Sequence, residues 1–397
     1  MSRRPRLGTL LGTVAFVFAC VHAAAQPALA QPPPEPAAQA PPPAAPAPWY
    51  AQISVNGLVS ASYVGNFNAP PSGTNQFRVF DTRSDTFALD VAELVVQRSV
   101  SAPGDAGFRI DLTFGSLVPK VTAAAGLFRD ENGVAGSFDL QQAYFSYIAP
   151  AGRGLRIDAG KFTTYLGYEV IEGYDGYNDN HSHSFLFGYA QPITHTGLRV
   201  SYPFSGAVSA QAYLVNGWDN AVDNNTGKSV GAQLALTPSS RASVVLSYLG
   251  GPEQTSESSN LRHAFDVVAT FKAAPGLSVA ANYDYGRESS VPLAETAGGG
   301  IADASWQGVA GYGRVTISPR AAVTFRAEWF DDPQGARTGY VQSLKELTFT
   351  PEFKPHPHVI VRGDLRRDWS NRDVFEKDDG TFGRSQTTLS LNGIFVF

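Results

Sequence analysis

The residues that could do chemistry in this chain fall into three patterns: paired histidines, a serine between glycines, and charged side chains at every second position. Two His-x-His pairs, His181 with His183 and His356 with His358, set both imidazoles on one side of an extended segment, the spacing of a metal-ligand pair. Asp175 and Asp179 precede the first pair and would extend it to a divalent-cation set, while a solvated loop accounts for the same residues without a metal. The second pair flanks Pro357 and reads as a turn. Gly227-Lys228-Ser229-Val230-Gly231 matches a nucleophile elbow, but that motif needs a strand-turn-helix setting and here joins a polar loop to a strand, so it reads as a chance match. Asn224-Asn225-Thr226 has the form of a glycosylation acceptor and reads as polar loop.

The third pattern is the informative one. Arg109 and Asp111, Asp266, Asn282 and Asp284, Arg326 and Glu328, then Arg362, Asp364 and Arg366 each alternate with apolar neighbours, as in Phe108, Ile110, Leu112 and Phe114. Side chains two apart share a face of a strand, so these segments have one polar and one apolar face. A charge facing lipid costs about 2–4 kcal/mol at the bilayer midplane, which directs all of these residues inward. There they line a water-filled passage, or else pair with one another and fill the interior.

Sixteen such segments follow one another from Trp49 to Phe397, many near ten residues long. At ~3.3 Å per residue and a tilt near 45°, roughly ten residues cover the ~25 Å apolar band of an outer membrane. Tight turns such as Pro103-Gly104-Asp105 and Ser318-Pro319-Arg320 alternate with long polar loops, the third of which runs from 166 to 191. This strict alternation predicts an all-β fold: a transmembrane antiparallel β-barrel of about 16 strands, with short periplasmic turns and long extracellular loops. No apolar run of about twenty residues follows the N-terminal segment, so helical spans are excluded.

The first thirty residues read as an export signal. Arg3, Arg4 and Arg6 precede an apolar stretch from Leu7 to Val21, and Ala28-Leu29-Ala30 supplies a small-x-small cleavage pattern. Cleavage there discards Cys20, the one cysteine, and leaves no thiol chemistry. Residues 31–48, almost all Pro, Ala and Gln, form an extended linker, and 49–397 form the barrel domain. The net charge of −5 becomes −8 when the three signal arginines are removed, which argues against nucleic acid as a partner. Charged residues are only 16% of the chain, against about 25% in soluble proteins, and this suits a sheet with an apolar exterior.

Gly160-Lys161-Phe162-Thr163-Thr164, Gly167-Tyr168-Glu169, Phe187-Gly188-Tyr189-Ala190-Gln191-Pro192, Thr194-His195-Thr196-Gly197 and Asn216-Gly217-Trp218-Asp219 together resemble the OmpL-like β-barrel porin family. Where many such families place an arginine after the loop serine, this chain has His181-Ser182-His183-Ser184. The alternating last strand, ending on Phe395 and Phe397, resembles the signal read by the barrel assembly machinery. The resemblance implies a bacterial outer-membrane channel that works without a cofactor and passes small hydrophilic solutes. Its partners would be outer-membrane lipids and lipopolysaccharide. A closed structural or adhesive barrel acting through its loops is the alternative. An outer-membrane hydrolase would need adjacent Ser, His and Asn or Asp on an outer face, and is disfavoured because the strand histidines, His195 and His263, both lie near strand ends. By analogy with sixteen-stranded porins, the third loop folds inward as a constriction carrying Glu169, Glu172, Asp175, Asp179, His181 and His183. No Lys or Arg occurs from Phe162 to Leu198, so the expected preference is for cations, opposed by Arg109, Arg326, Arg362 and Arg366 on the wall.

Overall fold

A computed structural model of the chain describes residues 48–118, 127, 128, 132 and 134–397. The export signal and nearly all of the linker lie outside the described residues, as does much of the second long loop. From Ser54 onward the alternating segments form sixteen strands: β1 (Ser54–Asn66), β2 (Thr86–Arg98), β3 (Ala106–Phe114), β4 (Phe138–Ala149), β5 (Leu155–Thr163), β6 (Thr194–Pro203), β7 (Val208–Val215) and β8 (Ser229–Ser239), then β9 (Ala242–Pro252), β10 (Leu261–Ala274), β11 (Leu277–Pro292), β12 (Ile301–Ser318), β13 (Ala321–Asp332), β14 (Gln342–His356), β15 (Val359–Arg362 continued by Leu365–Ser370) and β16 (Ser385–Val396). Each pairs antiparallel with its sequence neighbours. β1 also pairs with β16, from Leu58 opposite Val396 to Asn66 opposite Thr388. That last pairing closes the sheet, so no strand edge is left with unpaired backbone groups, the condition for spanning hydrocarbon with strands.

The alternation works as the sequence implies. In β3, Arg109, Asp111 and Thr113 are buried and point inward, while Ile110 and Phe114 are exposed on the outside. In β14 the buried set is Gln342, Leu344, Glu346, Thr348, Thr350 and Glu352, and the outward set includes Leu347, Phe349 and Phe353. The pairs of short turns and long loops also fall as expected, with His356, Pro357 and His358 in the short connection from β14 to β15.

β15 is the one strand that is broken, and its partner shows why. Pro351 in β14 lies opposite the break at Gly363 and Asp364. A proline has no N–H to give to the ladder. Gly363 instead donates to the Pro351 carbonyl at 3.2 Å, and the Asp364 N–H turns to Ser390 on the other side at 3.2 Å.

One expectation changes. The lumen near the long-loop end is not wholly polar, because Trp306, Phe330 and Leu344 are fully buried and point inward. They meet Phe185, Leu186 and Ala190 of the third loop, which carries a five-residue π-helical turn over Leu186–Ala190. Alternation fixes which residues face in, but not whether water or another part of the chain meets them there.

Leu112 faces out and Thr113 faces in, but Thr113 is fully enclosed and its hydroxyl lies 3.5 Å from the Asp139 carbonyl. An arginine at 113 would therefore have no aqueous space. Thr270, which borders an interior cavity of about 450 Å³, is the better inward probe. Leu112→Arg is expected to lower the membrane-inserted fraction by about 2–4 kcal/mol of insertion free energy, and Thr270→Arg to leave it unchanged. Heat-modifiable gel migration after refolding into bilayers measures both, and equal loss would contradict the assignment of faces.

Candidate functional site: the third loop inside the barrel

The third long loop, residues 164–193 between β5 and β6, enters the barrel, and its residues from Phe185 to Phe187 are essentially without solvent exposure. A chain segment placed in a lumen must satisfy its own backbone groups there. The wall supplies the partners. Glu328 of β13 accepts the Phe185 and Leu186 N–H groups at 2.7 and 2.6 Å. Asp364 of β15 accepts the His181 and Ser182 N–H groups at 3.1 and 2.7 Å and the Ser182 hydroxyl at 2.8 Å. Asn282 of β11 accepts the Tyr168 N–H at 3.1 Å, and Glu93 of β2 accepts that of Tyr174 at 2.5 Å. Trp306 and Arg337 donate to the carbonyls of Ala190 and Tyr189.

The loop carboxylates are held in the same way, each by an arginine. Glu169 pairs with Arg326 at 2.7 Å, and Asp179 with Arg314 at 2.7 Å. Glu172 pairs with Arg362 and Asp175 with Arg109. Arg326 also binds Glu346 at 2.6 Å and the Ser182 carbonyl at 2.6 Å, and it has no solvent exposure along its side chain. Arg362 reaches the Asn178 carbonyl, and Arg366 the His183 carbonyl while pairing with Asp368 at 2.7 Å. Burial alone would raise the Glu169 carboxyl, but the Arg326 guanidinium and the Ser184 N–H, which donates at 2.8 Å, outweigh it and hold the group below its ordinary value.

All ten wall residues singled out from the sequence point into the barrel and are buried. Their partners are mostly in the loop or beside it, so they act as anchors rather than as a bare polar lining. Asp266 and Asp284 are directly opposed on β10 and β11, and Asp266 accepts from the Asn282 amide at 2.7 Å. The two loop histidines diverge. His181 contacts Ser390 at 3.0 Å and lies 3.6 Å from Asp90, whereas His183 contacts Asn178 at 3.0 Å and packs on Phe80 and Phe187. Their rings do not converge, and among the described residues no group of three or more His, Cys, Asp or Glu is arranged to hold a metal ion. Ser229 begins β8 and donates to Glu253 at 2.5 Å, with no elbow around it. Phe395 is outward on β16, and Phe397 exchanges backbone hydrogen bonds with Gly57 of β1.

Four residues missed in the sequence matter as much as those found: Glu93, Arg314, Glu346 and Trp306. Alternation marks each as inward. What it lacks is any sign that loop residues 81 to 135 positions away would come to meet Glu93, Trp306 and Arg314, or that Glu346 would share Arg326 with the loop.

Open space remains beside the loop. A cavity of about 220 Å³ between loop and wall is bordered by Glu93, Arg109, Gln142, Glu169, Asp175 and Gly173. The cavity of about 450 Å³ lies toward the short turns and is bordered by Thr237, Ser239, Ser243, Thr270 and Ser278, with Asp179 and Arg314 at its loop side.

The comparisons with known proteins agree with this architecture. A family model described as "Putative beta-barrel porin-2, OmpL-like" matches residues 52–397. No curated protein matches the chain in sequence. Among solved structures, the outer-membrane channel DcaP of Acinetobacter baumannii is 12% identical, covers 87% of this chain and 97% of its own, and gives a TM-score of 0.56. OprB of Pseudomonas putida is 14% identical, with 87% and 94% covered and a TM-score of 0.57. An anion-selective porin from Comamonas acidovorans is 12% identical, with 87% and 99% covered and a TM-score of 0.56. At such identities the likeness is one of fold. With the family model spanning the whole barrel and a sixteen-stranded closed sheet around an inward third loop, the chain belongs to the OmpL-like β-barrel porin family and is a porin-type channel of the bacterial outer membrane.

Proposed function

We propose that the chain is a passive diffusion channel for small hydrophilic solutes, working without a cofactor, with the latched third loop as its constriction and a modest preference for cations. The carrying observation is the loop itself. Barrels of 16–18 strands leave an aqueous channel, and in this one the third loop crosses the interior at fixed positions, with Arg78 and Phe80 of the first long loop packed beside it. Hydroxyl groups of Thr237, Ser239, Ser243, Thr270 and Ser278 border the wider space below it together with Arg241, Lys272, Arg314 and Asp179, a lining that exchanges hydrogen bonds with polar solutes.

The basis for the cation preference moves from where the sequence put it. Glu169, Glu172, Asp175 and Asp179 are each matched by an arginine, so their charge is largely cancelled at short range. The excess lies around the smaller cavity, where Arg109 is shared between Asp111, Asp175 and the nearby Glu93, which forms no ion pair of its own among the described residues. Negative charge in a narrow, partly dehydrated passage favours cations. The Comamonas porin, anion-selective by its description, has the same fold, so the sign is set by such local residues and not by the barrel.

Reversal potentials across a planar bilayer under a salt gradient test this reading. The native protein should prefer cations, Glu93→Gln should reduce the preference, and Glu172→Gln, which leaves Arg362 unmatched, should push selectivity toward anions. An anion-preferring native channel would overturn the assignment of sign, and no conductance at all would leave the closed structural barrel as the reading.

The latch makes a separate prediction. Arg326 carries two buried carboxylates, and losing one leaves Glu346 paired with it, so the cost is expected below the roughly 3–5 kcal/mol of breaking an isolated buried pair. Glu169→Gln is therefore expected to free the loop, seen as a lower melting temperature and a larger, noisier conductance. Because the folded Glu169 carboxyl sits below its ordinary value, its contribution is present above the usual carboxylate range and is lost as the pH falls through the folded value. The native channel should thus acquire the noisy conductance of the variant only in acid, below the ordinary glutamate range. A variant as quiet and stable as the native protein would show that the pair does not hold the loop.

A further inference from the structure

The outer wall carries two cations that the channel does not use. Lys345 of β14 and Arg367 of β15 both point outward and are exposed, on strands whose other outward residues are apolar apart from Ser343 at the long-loop end. Neither has a carboxylate within ion-pair distance among the described residues. Arg367 reaches only the Ser385 hydroxyl at 3.3 Å and lies 5.4 Å from the Trp369 ring centre. Lys345 sits directly between two tryptophans, opposite Trp329 of β13 on one side and Trp369 of β15 on the other. Arg367 is one step lower, between Leu347 and Thr387. The nearest acids are otherwise engaged or further out. Asp331 accepts from the Ser343 hydroxyl one pair toward the long-loop rim, and Asp373 pairs with Arg384 in the loop after β15.

A tryptophan–cation–tryptophan row on a lipid-facing wall marks the headgroup level, because indole rings settle at the membrane interface and charges are tolerated there. The row lies toward the long-loop end of the barrel, so it faces the outer leaflet. Below it the wall is concave. A groove of about 700 Å³ begins at Arg367 and Trp369 and runs over Gly311, Gly313, Ala327 and Leu347. A second, of about 850 Å³, lies along the break in β15 beside Pro351, Gly363, Leu389 and Leu391. The two meet at Phe349 and Leu365. The first is hollow because small residues stand where neighbours carry Phe325 and Phe349, and an added Cβ at Gly313 would meet nothing within 4 Å.

We propose that Lys345 and Arg367 bind the phosphorylated headgroup of a multiply acylated glycolipid of the outer leaflet, with its acyl chains lying in the two apolar grooves. The two cations supply the charge complement of phosphate. Two grooves leading from one headgroup position suit an occupant with several chains, and Trp329 and Trp369 flank the headgroup at the interface.

Native mass spectrometry of the folded protein in detergent, titrated with bisphosphorylated lipid A, dephosphorylated lipid A and phosphatidylglycerol, tests the site. The native protein should bind the bisphosphorylated form most tightly. Each of Lys345→Gln and Arg367→Gln should weaken it about fivefold, from the ~1 kcal/mol that one cation contributes near an anionic lipid surface. Arg320→Gln, in a short turn at the opposite end, should leave binding unchanged. The charge-conserving Lys345→Arg variant should bind as the native protein does, which separates loss of the site from loss of the fold, and heat-modifiable migration checks folding in every variant. Full binding by the Lys345→Gln, Arg367→Gln double variant, or equal binding of the dephosphorylated lipid, would overturn the proposal. Phosphatidylglycerol binding as tightly as bisphosphorylated lipid A would overturn the glycolipid assignment and leave a general anionic-lipid surface.

Discussion

The ion pair between Arg326 and Glu169 is the contact on which the interior of this barrel depends. Arg326 arises from the wall at β13, has no exposure to solvent, and ties Glu169 and the Ser182 carbonyl of the loop to Glu346 of β14. A guanidinium presents its donors in a fixed planar fork, so three acceptors at one arginine fix direction as well as distance. Burying such a charge is costly unless it is fully matched. The match is what gives the loop one position inside a wide lumen instead of many.

Around that centre the loop is anchored by groups of two kinds, with different consequences. Carboxylates of the wall, Glu328 and Asp364, accept backbone N–H groups and so would hold almost any sequence with the same chain path. Arginines of the wall, Arg109, Arg314, Arg326 and Arg362, require the acidic side chains of this particular loop. The second set also cancels most of the loop's charge. In the proposed channel the ion preference then rests on carboxylates such as Glu93, which holds a loop N–H but forms no ion pair among the described residues. Apolar packing of Leu186 and Ala190 against Trp306, Phe330 and Leu344 completes the hold at the long-loop end.

Inside and outside of the wall are independent surfaces on the same strands. Glu346 and Lys345 are adjacent in sequence, yet one faces Arg326 in the interior and the other stands between two tryptophans toward lipid. The period of two separates them completely. A strand can thus carry a channel function on one face and a lipid-contact function on the other, and substitutions on the two faces should not interact.

The sequence by itself determined the class of fold, the strand count and the face of every strand residue considered. Alternation and turn rhythm are local, and the cost of exposing charge to lipid removes the ambiguity about which face is which. It also marked the third loop as acidic and free of lysine and arginine. Only the tertiary structure decided what that acidity is for. Arg326 lies 157 residues from Glu169 and Arg362 lies 190 from Glu172, and neither separation has a periodicity to reveal it. Closure of the barrel brings them together, because a sixteen-stranded sheet returned on itself makes β13 to β15 the wall that faces a loop leaving β5. The same closure turned a row of charges that the sequence offers as a pore lining into a set of anchors, while the register of β14 against β15 placed Lys345 and Arg367 diagonally adjacent on the wall that meets the membrane.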